Sequence, residues 1–172
     1  MVEYPITTEY EHITVTEAMV PMPDGVRLYT RYTVPRGAKK CPIVYIRTPY
    51  EKSHNGEAHH VEGGGANSPY AKRGYAVLTQ HCRGRGDSEG ECIPYRERED
   101  GLATLAFIRS LPFYNGEIYV MGGSYLATVH LSYLADAPND IKGACLQVQT
   151  DRMYYRNYVN GCNYKLNNAG WW

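Results

Sequence analysis

The chain has no excess of charge of either sign: 18 Lys and Arg stand against 18 Asp and Glu in 172 residues. Such a balanced surface gives no electrostatic footing for nucleic acid or an anionic membrane, and neither is expected as a partner. No stretch reaches the roughly 18 consecutive apolar residues that a spanning helix needs. Met1-Val2-Glu3-Tyr4-Pro5 has neither the basic start nor the apolar centre of a signal peptide. The five cysteines (Cys41, Cys82, Cys92, Cys145, Cys162) are widely spaced, odd in number and form no C-x-x-C pair. Reduced thiols in a cytoplasmic protein are therefore expected. Phe is scarce, with 2 copies, whereas Tyr has 17. Tyr carries a polar handle and tolerates wet clefts, although compositional habit explains the bias equally well. At this length one domain with a real core is expected, not two.

The patterning then gives an order of elements. Residues 14–20 read as a strand, Pro21-Met22-Pro23-Asp24-Gly25 as a turn, and 26–34 as its hairpin partner. Pro42 to Arg47 is a near-continuous apolar run suited to a buried parallel strand. From Thr48 to Ala66, with Gly63-Gly64-Gly65, periodicity is lost and a long loop is expected. Residues 68–73 suggest a short helix capped by Asn67 or Ser68 and ended by Gly74, followed by a buried strand over 75–80. Residues 96–111 are the clearest helix, with Leu102, Leu105, Ala106 and Ile108 at helical spacing and Pro112 beyond. A strand over 117–121, an apolar helix from Tyr125 to about Ala135 and a strand over 141–148 complete the pattern. The tail from Asp151 to Trp172 shows none. Strand-helix alternation after an initial hairpin predicts an α/β fold with a mostly parallel sheet and helices on both faces. Residues 1–150 are expected to form the domain, and 151–172 an insertion or a tail.

Within that frame, Gly122-Gly123-Ser124-Tyr125-Leu126-Ala127 carries the chemistry. Any strand-to-helix turn favours Gly and Ser, but an apolar strand before and an apolar helix behind are the context of a nucleophile elbow. Ser124 is the candidate nucleophile, and the Tyr125 backbone N–H a candidate oxyanion donor. Arg47-Thr48-Pro49-Tyr50 places Tyr50 beyond the carboxyl end of a central strand, where open α/β sheets bind ligands. On the residues alone Tyr50 reads first as a surface Tyr after a Pro-driven turn. His81-Cys82-Arg83-Gly84-Arg85-Gly86-Asp87-Ser88-Glu89-Gly90 lacks the Lys-Ser/Thr pair of a phosphate loop and reads as structural. Its Arg85-Gly86-Asp87 tripeptide occurs by chance too often to count. His54, His59 and His60 have no Cys or spaced pair nearby, so no metal site and no cofactor are expected. A nucleotide-binding reading finds no third Gly after Gly122-Gly123 and no acid placed for a ribose.

Taken together, Pro23-Asp24-Gly25-Val26-Arg27-Leu28, Arg47-Thr48-Pro49-Tyr50-Glu51-Lys52, Arg83-Gly84-x-Gly86-x-Ser88-x-Gly90-Glu91 and Gly122-Gly123-Ser124-Tyr125-Leu126 resemble the CocE/NonD group of α/β-hydrolases, the X-Pro dipeptidyl-peptidase (S15) family. The motifs stand in family order over about residues 15–150. The resemblance implies an α/β-hydrolase fold, Ser124 as nucleophile, and an oxyanion hole formed by the Tyr50 hydroxyl and the Tyr125 N–H. It also accounts for Leu126, because the family's small residue falls one later, at Ala127 in place of the usual Gly. A second departure is His81, where the family usually has Asp, three residues before the loop's first Gly.

A serine nucleophile needs a base and an orienting acid, which in α/β-hydrolases follow it as Asp or Glu and then His. After Ser124 the chain has Asp136, Asp140, Asp151 and one histidine, His130. His130 lies six residues into the following helix, about 9 Å along its axis at 1.5 Å per residue, and cannot reach Ser124 Oγ. Asp136 and Asp140 come too early for the triad acid. The triad acid and base are thus expected outside this chain, which reads as the N-terminal piece of a serine hydrolase with negligible turnover by itself. Its expected substrate is a small-molecule ester or amide, or a short peptide. The rival reading is a non-catalytic interaction protein or a subunit completed by another chain, with self-association through an exposed sheet edge around 141–148.

Overall fold

The computed structural model describes residues 3–50, 69–136, 139–150, 152, 154–155 and 158–163. Of the loop expected over Thr48 to Ala66, residues 51–66, with His54, His59, His60 and the triple Gly, lie outside them, as do Asn67, Ser68, Asp151 and residues 164–172.

Seven strands form one mixed sheet: β1 (Ile6–Glu9), β2 (Ile13–Pro21), β3 (Arg27–Pro35), β4 (Cys41–Thr48), β5 (Ala76–His81), β6 (Tyr114–Gly123) and β7 (Ile141–Gln147). Their order across the sheet is β1-β2-β3-β5-β4-β6-β7. Pairing is antiparallel from β1 to β5 and parallel from β5 through β4 and β6 to β7. The β2–β3 hairpin closes where Asp24 Oδ1 accepts the Val26 N–H at 3.2 Å and Gly25 takes φ +87°. β4 sits between β5 and β6, so both of its edges are paired, and seven of its eight residues are buried because both of its faces are packed. That double cover is the reason for its unbroken apolar run.

Two helices, α1 (Arg98–Ser110) and α2 (Tyr125–Leu134), pack on each other and on the sheet. Leu105 and Ile108 of α1 and Tyr133 of α2 join Ile43, Tyr45, Leu78, Ile118 and Val120 in the main core. On alternate strand positions Val44, Ile46 and Val77 form a second cluster with Leu126, against which Tyr50, Tyr70, Tyr75 and Tyr119 pack. Among the described residues no helix is long and apolar enough to cross a membrane.

The elements follow the patterning closely, with four differences. β1 is exposed at every residue and has no apolar alternation to announce it; it forms by adding to the free edge of β2. The expected helix over 68–73 is a single 3-10 turn at Ala71–Arg73, closed by Gly74 at φ +87° donating to the Ala71 carbonyl. β6 starts three residues earlier than the strand expected over 117–121, because Tyr114 pairs with Cys41 at the far end of β4. In the tail, Tyr158–Val159 and Cys162–Asn163 pair as a small hairpin, β8 and β9. Its turn is Asn160-Gly161, both at positive φ, the dipeptide favoured for a two-residue hairpin turn.

Candidate active site

β6 runs out of the sheet at Gly123, and Ser124 turns the chain directly into α2. Ser124 has φ +56° and ψ −122°, a conformation that side-chain-bearing residues rarely adopt. The turn is compact because α2 starts almost on top of the strand. A Cβ at Gly122 would stand 2.5 Å from Leu126 Cβ and 2.6 Å from the Leu126 backbone carbon, so glycine is required there.

Four neighbours fix the strained residue. Its N–H donates to the Gln147 carbonyl at the end of β7, at 2.9 Å. Its carbonyl accepts the N–H groups of Ala127 (3.0 Å) and Thr128 (3.2 Å). Gln149 Nε2 reaches the same carbonyl at 3.3 Å and also touches Thr128 Oγ1. Val148, between Gln147 and Gln149, is itself at φ +53°. Ser124 is thereby held half-buried at the carboxyl edge of the sheet, ahead of the unsatisfied N–H groups of a helix N-terminus.

Tyr50 lies two residues past the end of β4, the strand paired in parallel with β6. The structure therefore brings it to the same edge as Ser124. Its ring packs against the cluster of Cys82, Tyr125 and Val129. The Tyr125 backbone N–H belongs to the first turn of α2, while its side chain is buried and its hydroxyl accepts the Tyr95 N–H at 2.9 Å. Burial pushes the Tyr125 phenol up, so the hydroxyl stays neutral.

His130 takes no part in this edge. It is 0% exposed, its Nδ1 meets the Tyr133 hydroxyl, and its ring packs edge-on against Tyr45. Burial, seconded by the Arg47 charge, lowers its pKa to about 3. Asp136 pairs with Arg98, and Asp140 with Arg109 and the Tyr114 hydroxyl at 2.6 Å. Both carboxylates are thus engaged far from the turn in structural roles.

A second polar assembly lies beside the elbow and was not legible from the motifs singly. Arg47, wholly buried, donates from Nε to Gln80 Oε1 (3.1 Å) and from one terminal nitrogen to the Glu97 carbonyl (2.9 Å). Its other nitrogen pairs with the Glu97 carboxylate at 3.2 Å and lies 3.9 Å from Asp100. Asp100 in turn receives Arg83 at 2.6 Å, and Arg83 bridges to Asp24 at 2.7 Å. A cavity of about 270 Å³ opens among Asp24, Arg83, Glu91, Arg96 and Glu99; neither Ser124 nor Tyr50 lines it. One charged relay therefore joins the P-D-G turn, the R-T-P-Y strand end and the R-G loop. The signal available in the sequence was Arg47 itself, a charge closing an otherwise apolar strand.

A sequence profile described as X-Pro dipeptidyl-peptidase (S15 family) matches residues 24–172. The chain belongs to that family. The S15 chain is 28% identical over 144 residues to cocaine esterase from Rhodococcus sp. (strain MB1 Bresler), a match covering 81% of this chain and 24% of the esterase. In structure it is similar to an α-amino acid ester hydrolase, at TM-score 0.67 and 25% identity, covering 82% of this chain and 26% of that one. It is also similar to a CocE/NonD family hydrolase from Staphylococcus aureus, at TM-score 0.67 and 22% identity, covering 77% of this chain and 27% of that one. The S15 chain thus has an α/β-hydrolase-type fold and spans about a quarter of the length of these relatives.

Proposed function

We propose that Ser124 is the nucleophile of a serine hydrolase that cleaves a carboxylic ester or amide, in a small molecule or a short peptide, through an acyl-enzyme. The backbone of Ser124, at φ +56° in a strand-to-helix turn, carries this reading. Ser124 Oγ attacks the acyl carbon, the leaving alcohol or amine departs with a proton, and water releases the acid from the ester so formed. The negative charge on the tetrahedral oxygen falls to the Tyr125 N–H, fixed at the helix start, and to the Tyr50 hydroxyl. The general base and its acid partner come from residues other than His130, Asp136 and Asp140, because each of these is committed elsewhere. We place them outside the 172 residues, which the greater length of the relatives supports.

The test is covalent labelling by a fluorophosphonate of the protein carrying this chain. A label on the Ser124 peptide, lost in Ser124→Ala, is expected; a label elsewhere, or unchanged ester turnover in Ser124→Ala, overturns the assignment. The 172-residue chain alone is expected to turn over a p-nitrophenyl ester negligibly. Rapid, Ser124-dependent hydrolysis by it would show that base and acid lie within the chain.

One observation favours a second reading, in which the chain associates with another copy of itself. β7 pairs with β6 on one side, and among the described residues no strand covers its other side. It carries one charge, Lys142, and no Pro to guard that edge. Size-exclusion chromatography with light scattering decides it: a stable monomer removes this reading.

A further inference from the structure

His81 ends β5 and is 3% exposed. Its Nδ1 accepts the Asp87 backbone N–H at 3.1 Å, which ties the middle of loop 82–90 back to the strand. The loop comes close to do so: at Gly86, with φ +54°, an added Cβ would stand 2.1 Å from His81 Nδ1. Ser88 Oγ completes the closure, donating to the His81 carbonyl at 2.9 Å and accepting the Tyr29 N–H at 2.9 Å. The loop is further anchored by the ion pairs of Arg83 with Asp24 and Asp100 and of Glu89 with Arg27, and by the Glu89 N–H donating to the Arg27 carbonyl at 3.0 Å.

Of these anchors, the imidazole alone belongs to a residue type that changes its charge between pH 5 and 8. A neutral imidazole with its proton on Nε2 offers the Nδ1 lone pair to the Asp87 N–H. A second proton from solvent occupies Nδ1 and sets two donors against each other. Around the ring stand Tyr29, 4.9 Å away and tilted across it, and behind that Tyr4 and Glu17. On the loop, Arg85 and Asp87 are the charged residues on either side of Gly86, and Cys82 follows His81 in the chain.

We propose that His81 is a pH-sensitive latch: its neutral imidazole holds loop 82–90 against β5, and protonation at Nδ1 releases the middle of the loop. The release reaches further, because Cys82 packs on Tyr125 and Val129, with Tyr50 against the same cluster. The latch rests on the loop's own hydrogen bonds and not on the chemistry of Ser124, so the two readings stand or fall separately.

Amide hydrogen exchange on the 172-residue chain tests it. Corrected for intrinsic rates, and relative to the amides of Val44 and Tyr45 in β4, protection of the Asp87 amide is expected to fall about tenfold from pH 7.5 to pH 5, of the order of one lost hydrogen bond. In His81→Asp, whose carboxylate accepts throughout that range, protection is expected to stay level. The side-chain nitrogen shifts of His81 in the wild type supply a measurement that needs no variant, and the loss must follow their titration. Constant protection in the wild type, a loss that does not follow His81 protonation, or an equal loss in His81→Asp each overturns the latch.

Discussion

The two strand exits on the carboxyl edge are built in opposite ways. At the end of β6 the turn through Ser124 is held by size: Gly122 admits Leu126, and the strained serine hydrogen-bonds to Gln147, Ala127 and Thr128. At the end of β5 the loop over 82–90 is held by its hydrogen bonds to His81 and, beyond them, by charge, through partners far away in the chain. Arg83 and Asp100 are 17 residues apart, Arg83 and Asp24 are 59, and Arg27 and Glu89 are 62. A nucleophile, the role proposed above for Ser124, must not shift as charges come and go around it, and steric fixation gives that independence. The loop ties the hairpin to α1 through these pairs, beside the apolar contact that Val20, Met22 and Leu28 of the hairpin make with Ala103 and Phe107 of α1.

The comparison is broken most severely at Arg47. Arg47→Ala leaves Glu97 and Asp100, at 3% and 2% exposure, facing the vacated space, with Arg83 still on Asp100. Removing one partner of a buried charge set costs about 3–5 kcal/mol. A urea-unfolding midpoint within about 1 kcal/mol of the wild type would show that the relay is dispensable and that apolar packing alone orders the β5 side.

Gly122→Ala strikes the other exit. The added methyl overlaps the Leu126 backbone, which cannot swing aside as a flexible side chain does. A cost of about 1–3 kcal/mol is expected, the range for overpacking. The same unfolding measurement checks it, and the cost is to stay constant from pH 8 to pH 5. A cost that varied with pH would mean that charge also shapes the elbow.

The contrast also explains what the sequence disclosed. A sterically fixed turn writes itself into a few consecutive residues, so Gly122 to Ala127 between an apolar strand and an apolar helix was readable without a structure. The succession of strands and helices along the chain followed from the same local patterns. The relay was not readable, because Asp24, Arg47, Arg83, Glu97 and Asp100 sit in four separate stretches whose pairing depends on strand order. β1 was missed for a related reason: its four residues are all exposed, and the edge it joins, not its own composition, makes it a strand. Glu97 and Asp100 stand at the start of α1. They turn out to be buried counter-ions of Arg47 and Arg83. The departure at His81 was visible, but the bond it makes to Asp87 became clear only from the folded loop.

The mildest perturbation is Asp24→Asn, at the exposed end of the relay. The Arg83 guanidinium holds the Asp24 carboxyl below its ordinary value of 3.8, mainly through their hydrogen bond. A carboxyl lowered in the folded state stabilises it above the unfolded value, and that contribution fades as pH falls through the folded one. Asp24→Asn is therefore expected to unfold slightly more easily than the wild type at pH 6, with the gap closing as pH drops below about 4. Glu89, lowered in the same direction by Arg27, titrates equally in both proteins and cancels in the difference. Unfolding midpoints at a series of pH values check it. A gap that persists unchanged to about pH 2.5 would assign Asp24's effect to its hydrogen bond with the Val26 N–H. The hairpin turn would then resemble the elbow, held by local geometry, and charge would govern the loop alone.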